Sequence, residues 1–224
     1  MPTPLVTAWS YSRYADYAQC PFKFKCKHID RLPDPGSAAM QRGNTIHKLA
    51  EDYTLGKIKK CPPELKHFAG QFKELQKLSP IVEQAWGYRS DWTWTGKPNW
   101  FGDDVWFRAK ADLMVVYDDA TADLIDHKTG KKYQTNKDQV ELFALAGFKR
   151  YPHLTEINTR LWYLDQPTDN EVVLSYTAKD AALIQKGWSK KVIPMFADRK
   201  FAPRPNDKCH WCTFRKANGG PCKF

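Results

Sequence analysis

The chain has 224 residues, of which 42% are hydrophobic and 14% aromatic, so it can bury a core and is not an intrinsically disordered protein. Lysine and arginine outnumber aspartate and glutamate by 35 to 25, which gives a net charge of +10. This charge favours a polyanionic partner such as nucleic acid, although many basic proteins bind no polyanion. Since no stretch approaches the roughly 20 apolar residues of a membrane span and the N-terminus lacks a signal-peptide pattern, we expect a cytoplasmic protein without membrane association.

The pattern of apolar residues predicts alternating helices and strands. In chain order, the predicted elements are a short helix within 10–24, helices over 40–55 and 64–78, strands within 85–117 and at 122–128, a helix over 136–149, strands at 157–165 and 171–177, and a helix from 177 to about 198. This order predicts an α/β fold. We expect one domain over residues 1–224, with 57–80 as a variable insertion and 201–224 as a cysteine-bearing tail.

Two acidic residues and a lysine end two neighbouring predicted strands. Residues two apart on a strand share a face, so Asp126 and Lys128 project together and His127 projects to the other side. A three-residue or bulged hairpin loop places Asp112 beside Asp126, whereas a four-residue loop places them on opposite faces. Paired carboxylates suit Mg²⁺ or Mn²⁺, with Lys128 facing a phosphate that the cation activates. An isolated D-x-K sequence is more often a structural ion pair.

The helix predicted over 40–55 carries a further candidate ligand. Gly43, His47 and Glu51 are four residues apart and therefore lie on one helix face. His47 precedes the two aspartates, and an imidazole shifts the preference of the site slightly toward Mn²⁺. Glu51 either supports His47 or a metal-bound water as an outer-shell group, or forms an ordinary ion pair.

Four segments together resemble the motifs of the RecB-type nucleases in the PD-(D/E)XK superfamily: RGNTIHKLAE, AKADLMV, LIDHKTGKK and DQVELFALA. The resemblance implies a restriction-endonuclease-like core with a mixed central sheet flanked by helices. It implies catalytic and metal-binding roles for His47, Asp112, Asp126, the main-chain carbonyl of His127, Lys128 and Gln139. Of these, Lys128 is the catalytic amine, and Gln139 supports the site or touches DNA. Two positions depart from the family pattern, because Ala109 replaces a glycine and Phe143 replaces a tyrosine.

The C-terminal tail contains a cysteine pattern typical of a metal site. Cys209 and Cys212 form a C-x-x-C motif and Cys222 follows. In a reducing compartment, clustered cysteines more often bind metal or perform redox chemistry than form disulfides. A fourth ligand comes from His210 or from a remote cysteine. The sequence assigns no role to Cys26 or Cys61.

The tail and the segment YAQCPFKF are similar to the iron–sulfur RecB-type nucleases, which include the AddB nuclease domain and the small CRISPR-associated nuclease that processes spacers. This resemblance implies a 4Fe–4S cluster on Cys20, Cys209, Cys212 and Cys222 that joins the two chain ends. Four thiolates alone also suit zinc, the less favoured occupant. The nine residues between the last two cysteines exceed the usual family gap.

The resemblance implies a prokaryotic or phage-encoded exonuclease that hydrolyses DNA, preferably single-stranded, to 5′-phosphate and 3′-hydroxyl ends. Recombination, replication or CRISPR adaptation proteins are the partners that it implies. Two alternatives are a nucleic-acid-binding module without catalysis and a zinc-stabilised interaction module. Lys131, Lys132 and Arg13 are candidate phosphate contacts, and a solvated basic face explains them nearly as well. Most of the tryptophans in the predicted strands are expected in the core.

Overall fold

The computed structural model describes residues 5–224, so residues 1–4 of the predicted domain lie outside the described part. Its strands are β1 (Trp9–Ser10), β2 (Ile81–Val82), β3 (Ala85–Tyr88), β4 (Phe107–Lys110), β5 (Leu113–Val116), β6 (Thr121–Lys128), β7 (Glu156–Tyr163) and β8 (Glu171–Thr177). Its α-helices are α1 (Tyr11–Gln19), α2 (Pro21–Phe24), α3 (Ala38–Thr54), α4 (Ala69–Lys77), α5 (Thr135–Arg150) and α6 (Ala181–Ala197). Shorter helical turns span Lys25–Ile29, Pro63–Phe68, Asp207–Trp211 and Lys216–Asn218.

The strands form two sheets, and helices pack against them. The larger sheet has the order β2-β5-β6-β7-β8 and the smaller sheet the order β1-β4-β3. In the larger sheet β6 and β7 are parallel and connected through α5, while the other neighbours are antiparallel. The predicted α/β fold with a mixed sheet flanked by helices is therefore confirmed.

The two sheets are joined at a break in their shared strands. Ala85 pairs with Lys110 and Val82 pairs with Leu113, so the register is the same on both sides of the break. Within the break, the Glu83 amide donates to the Asp112 carbonyl at 3.0 Å. Glu83 has a φ of 51°, in the left-handed region that few non-glycine residues adopt. The chain thus passes from one sheet to the other at Asp112.

Apolar side chains fill both faces of the larger sheet. One cluster joins the smaller sheet, α5 and α6, and it contains Trp9, Trp86, Trp92 and Trp188, so these tryptophans are core residues. A second cluster packs α3 and α4 on the sheet and includes Phe68, Phe72 and Trp162. Segment 57–80 therefore contributes to the core, and its sequence variability stays a prediction. Among residues 5–224, no helix combines the length and apolar character of a bilayer span.

Helix boundaries follow the local sequence signals. The Ser10 hydroxyl accepts a hydrogen bond from the Arg13 amide at 3.4 Å, and α1 ends before Pro21, as predicted. Helix α3 starts two residues before the predicted Met40 because Ser37 caps it through the Met40 amide. Cys20 therefore follows the last residue of α1, and His47 lies in the middle of α3.

Candidate active site

The β5–β6 hairpin places the two predicted aspartates at opposing positions of neighbouring strands. Leu113 pairs with Ile125, so the next position places Asp112 opposite Asp126. The turn between the strands is a three-residue loop, 118–120, closed by a hydrogen bond from the amide of residue 117 to the carbonyl of residue 121. This is the loop length for which the sequence predicts neighbouring carboxylates.

Asp112 is held in the ionised form by its neighbours. Its Oδ2 accepts a hydrogen bond from the His127 backbone amide at 2.6 Å, and its Oδ1 lies 3.2 Å from His47 Nδ1. Burial disfavours its charge, but the hydrogen bond and charge of His47 outweigh burial and lower the pKa of Asp112. The same pairing raises the pKa of His47 although burial acts to lower it. The break in the strand thus lets a carboxylate contact the backbone of the neighbouring strand.

Asp126, Lys128 and Gln139 form a second group of contacts. Lys128 Nζ lies 2.5 Å from Asp126 Oδ2 and donates to Gln139 Oε1 at 2.8 Å. Gln139 Nε2 donates to Asp126 Oδ1 at 3.2 Å. Burial raises the pKa of Asp126 to about 6, with the Lys128 charge opposing this shift and the Asp112 charge adding to it. Helix α5 therefore positions both members of the D-x-K pair through one amide side chain.

The His127 imidazole joins the first group, which the sequence did not indicate. Its ring is 3% exposed and packs against Phe72 and Trp162, with ring centroids 5.4 and 5.9 Å away. Burial lowers the pKa of His127 to about 4, so the ring is neutral at physiological pH. One ligand atom each from His47, Asp112 and His127 lie within 4.8 Å of one another. Strand alternation predicted that the His127 ring projects away from the site. Because the strand breaks at Asp112, the Asp112 carboxylate reaches the His127 side of the sheet.

The donor set fits a divalent cation. A neutral imidazole and an ionised carboxylate are ligands that Mn²⁺ accepts. Within residues 5–224, His127 Nε2 is buried without a hydrogen-bond partner. Asp126 Oδ2 lies 2.5 Å from the Lys128 ammonium, which offsets the charge of this carboxylate. The Asp126 carboxylate itself is directed to Lys128 and Gln139 and is outside the group of three close ligand atoms.

Helix α3 is fixed against the loop that follows Lys128. Arg42 makes two hydrogen bonds to Asp165, at 2.9 and 2.6 Å, and the Gly130 amide donates to the same carboxylate at 2.9 Å. A Cβ atom at Gly43 would lie 3.3 Å from Thr129 Oγ1, so glycine permits this close approach. The Gly43 position of the first motif thus sets the distance between the histidine helix and the lysine strand.

An open cleft of about 380 Å³ lies beside His47 and Asp112. Its lining residues are Asn44, His47, Lys48, Glu51, Glu83, Lys110 and Asp112. Glu51 forms ion pairs with Lys48 at 3.0 Å and Lys57 at 3.8 Å, the second of its two predicted roles.

Sequence reasoning did not identify Glu83 and Lys110, which form an ion pair in this cleft. Burial raises the pKa of Glu83, with the Lys110 contact opposing and the Asp112 charge adding. The available signal was that Lys110 precedes Asp112 by two residues and so follows strand alternation.

The four predicted cluster cysteines line one cavity between the α1–α2 junction and the tail. The Arg204 amide donates to Cys20 Sγ at 3.3 Å, and the Asn206 amide donates to Cys209 Sγ at 3.4 Å. No three of their sulfurs lie within 4.8 Å of one another. Cys26 is fully buried, which raises the pKa of its thiol to about 11. The chain ends therefore meet at the cysteines.

Three comparisons place this geometry among known proteins. No curated protein matches the chain. Among solved structures, SSO0001 covers 93% of this chain and 84% of its own at 14% identity and a TM-score of 0.48. A "putative exonuclease" from Eubacterium rectale covers 92% of this chain and 87% of its own at 12% identity and a TM-score of 0.51, a likeness of fold alone. The sequence model of the PD-(D/E)XK nuclease superfamily matches residues 8–217, and the chain therefore belongs to this superfamily.

Proposed function

We propose that the protein is a DNA nuclease that requires Mg²⁺ or Mn²⁺. His47, Asp112 and Asp126, with the main-chain carbonyl of His127, are the proposed ligands. The observation that carries the proposal is that Lys128 and Gln139 hold Asp126 on one side, while His47 holds Asp112 in its ionised form on the other.

The residues of the chain prepare this site for a phosphodiester. When bound, the cation lowers the pKa of a water and polarises a phosphoryl oxygen. Lys128 is held by Gln139 Oε1 and directs its ammonium group to the charge that develops on the phosphate oxygens. Gln139 acts as a positioning residue because it contacts both Lys128 and Asp126. The deprotonated Asp126 is the form that binds a metal, and this form predominates above about pH 6.

We further propose an exonuclease that prefers single-stranded DNA and leaves 5′-phosphate and 3′-hydroxyl ends. The support is the resemblance of the four motifs to RecB-type nucleases. The fold likeness to the protein from Eubacterium rectale is in agreement with it. Residues 1–224 form the proposed nuclease domain, acting in the cytoplasm with recombination, replication or CRISPR adaptation proteins as proposed partners.

The four cysteines Cys20, Cys209, Cys212 and Cys222 are proposed to hold a 4Fe–4S cluster. A tetrahedral zinc, with Zn–S bonds of about 2.3 Å, would keep its four sulfurs roughly 3.8 Å apart. The wider separation of these sulfurs supports a larger group, since irons and sulfides lie between the thiolates of a cluster. The two amide-to-sulfur hydrogen bonds also suit thiolate ligands.

Digestion of end-labelled single-stranded and duplex DNA by anaerobically purified protein tests this function. We expect cleavage with Mg²⁺ or Mn²⁺ and none without a divalent ion. Asp126→Ala and Lys128→Ala should each lower the rate by about 10³-fold or more, because each removes a group that acts on the reacting phosphate. Asp118→Ala and Lys137→Ala remove the same charges from exposed positions and should leave the rate unchanged.

Three results separate the possible readings of that experiment. Equal rates for the native protein and Asp126→Ala would assign the activity to a contaminant. Binding of DNA without cleavage by the native protein would support the alternative of a binding module. Analysis of the labelled ends identifies the products. Ends with a 3′-phosphate would contradict the proposed cleavage of the bond between phosphorus and the 3′ oxygen.

A further inference from the structure

Arg13 lies near two arginines from distant parts of the sequence, Arg31 and Arg108. Strands β1 and β4 are parallel, with Ser10 paired to Arg108, and the Arg13 amide donates to the Ser10 hydroxyl at 3.4 Å. Burial lowers the pKa of the Arg13 guanidinium, and the charges of Arg108 and Arg31 lower it further. The paired positions and the capping hydrogen bond therefore place Arg13 beside the strand that carries Arg108, and the charges of Arg108 and Arg31 both reach it.

These arginines have no acidic partner within residues 5–224. The charged group of Arg13 contacts the Ala8 carbonyl at 3.0 Å, and the Nε atoms of Arg13 and Arg108 are buried without a hydrogen-bond partner. Three of the other seven arginines form ion pairs: Arg42 with Asp165, Arg89 with Asp104, and Arg160 with Asp123 and Glu171. Grouped guanidinium ions without a counter-charge are costly to hold together, and an anionic ligand would relieve their repulsion.

An exposed aromatic ring completes this surface. The Phe101 side chain is 79% exposed, and the Arg108 guanidinium lies 5.2 Å from its ring centroid. An exposed phenyl ring beside a guanidinium is the combination by which single-strand-binding proteins stack a base and hold its phosphate. The bases of a duplex are stacked inside the helix, so the ring is suited to an unpaired base.

The same strand connects this surface to the cleft of the candidate active site. Arg108 and Lys110 are two residues apart on β4 and share a face. Lys110 lines the cleft together with Asp112 and His47. Arg108 and Asp112 are about 13 Å apart along an extended chain, a distance that a few nucleotides span.

We propose that Arg13, Arg31, Arg108 and Phe101 form a binding surface, the arginine patch, for single-stranded nucleic acid that extends from the active-site cleft. The guanidinium groups hold phosphates, and Phe101 stacks on an unpaired base. The inference rests on the proposed nuclease function and adds the substrate-binding surface that selects single strands.

Binding measurements on the Asp126→Ala protein, in buffer without divalent ions, test the patch without cleavage. The probes are a fluorescent 20-nucleotide oligothymidylate and a 20-base-pair duplex. In this background Arg31→Gln with Arg108→Gln should weaken single-strand binding about tenfold. The slope of log affinity against log salt should fall by about 1.4, since each phosphate contact contributes about 0.7. The matched double variant Arg199→Gln with Lys186→Gln removes the same charge and should change affinity less than twofold.

A substitution of the ring separates stacking from charge. Phe101→Leu should weaken oligothymidylate binding about tenfold and leave duplex binding unchanged, because only an unpaired base stacks on the ring. A second measurement does not depend on how the arginine variants fold. It uses the protein with intact arginines and measures, by mass spectrometry, whether bound oligothymidylate protects Arg31 and Arg108 from phenylglyoxal.

The outcomes distinguish the patch from the function on which it rests. Arginine and control variants with the same affinity, or arginines that stay reactive in the complex, would overturn the patch while DNA binding by Asp126→Ala preserves the proposed function. Absence of DNA binding by Asp126→Ala itself would overturn both. Selective loss in the arginine and Phe101 variants, with protection of Arg31 and Arg108, supports the patch.

Discussion

The candidate active site and the cysteine end of the molecule are stabilised in different ways. Asp126 is 2% exposed and is held by Lys128 and Gln139. Residues 202–224 all lie in the described part of the chain, and Phe214 is the one buried residue among them. Their helical structure consists of two short turns. The active site is therefore preformed by the core, whereas the tail lacks a core of its own.

The difference indicates what each bound group contributes. A cation at the active site adds charge and chemistry to an arrangement that the protein already maintains. At the cysteine end, contacts between the chain ends are few; they include the Arg204 guanidinium donating to the Ala18 carbonyl at 2.7 Å and Asn206 donating to Gln19 at 3.2 Å. A cluster bound by four thiolates would supply much of the folding free energy of this segment.

Loss of a cysteine ligand should have the largest effect on stability. Cys20 and Cys209 are 189 positions apart, and closing a loop of this length contributes roughly 5 kcal/mol. Cys209→Ser should abolish the visible absorbance of the anaerobic protein, lower Tm by about 10 °C and expose residues 202–224 to proteolysis. Cys61→Ser is the control, because Cys61 lies outside the cysteine cavity and should leave all three properties unchanged. Unchanged absorbance in Cys209→Ser would exclude Cys209 as a ligand.

Removal of the Asp126 charge should stabilise the metal-free protein. The pKa of this buried carboxyl is about 6 rather than 3.8, so the folded state binds the proton more tightly than the unfolded state. The free energy of unfolding therefore falls as pH rises from about 4 to about 6. Asp126→Asn lacks this loss and should be more stable than the native protein by about 2 kcal/mol at pH 8, with a smaller difference near pH 4.

Urea denaturation at pH 4, 6 and 8 without divalent ions measures this effect. Asp118→Asn, at an exposed loop position, should follow the native protein at each pH. Lower stability of Asp126→Asn at pH 8 would show that the ion pair with Lys128 outweighs burial. Added Mn²⁺ should stabilise the native protein and not Asp126→Asn, because the carboxylate is a proposed ligand.

Removal of Asp16 examines the cysteine end without touching the cysteines. Asp16 contacts Lys23 at 2.9 Å, His28 at 2.9 Å and Lys27 at 3.4 Å, and Lys27 continues to Asp34 at 3.2 Å. Burial opposes its charge, but the His28 and Lys23 contacts outweigh burial and lower the pKa of Asp16 well below its usual value. The contribution is present above about pH 4 and is lost as pH falls further.

We expect Asp16→Asn to lower the free energy of unfolding by about 1.5 kcal/mol at pH 7, and by less at pH 3. Urea denaturation at the two pH values measures the difference. The same loss in the Cys209→Ser background would show that this ion network supports the N-terminal part of the cysteine end independently of the tail. A loss that is equal at both pH values would contradict the electrostatic origin.

The short-range features of the site could be predicted from the sequence. The D-x-K alternation and the three-residue hairpin loop together determine that Asp112 and Asp126 are neighbours, and both are local properties of the chain. The start of α1 at Tyr11 follows in the same way from the capping side chain of Ser10. The grouping of the four cysteines could be predicted only from the family resemblance, since Cys20 and the tail are far apart in sequence.

The features that depend on pairing between distant strands could not be predicted. Arg13 lies near Arg108, across 95 positions of sequence, because β1 pairs in parallel with β4. The His127 imidazole meets Asp112 because the strand breaks where it changes sheets, and the left-handed Glu83 in the partner strand has no signature in the sequence. Alternation describes a continuous strand and is wrong where the strand is interrupted.

The smallest effect is expected from a single methyl group between α3 and the lysine strand. Gly43→Ala adds a Cβ atom 3.3 Å from Thr129 Oγ1, next to Lys128, and the threonine must shift by a few tenths of an ångström. Alanine also favours the helix by up to about 1 kcal/mol, so stability should not fall. The rate of DNA cleavage should fall about threefold because Lys128 moves with its neighbour.

Stability and rate should therefore change in opposite directions in Gly43→Ala, which a merely destabilising substitution cannot produce. Gly70→Ala, on α4 with open space around the added atom, should raise stability without a change in rate. In Gly43→Ala with Thr129→Ser, the smaller side chain can rotate away and should recover part of the lost rate. No recovery, with a rate that falls only as far as stability does, would show that the close contact holds the helix and does not position Lys128.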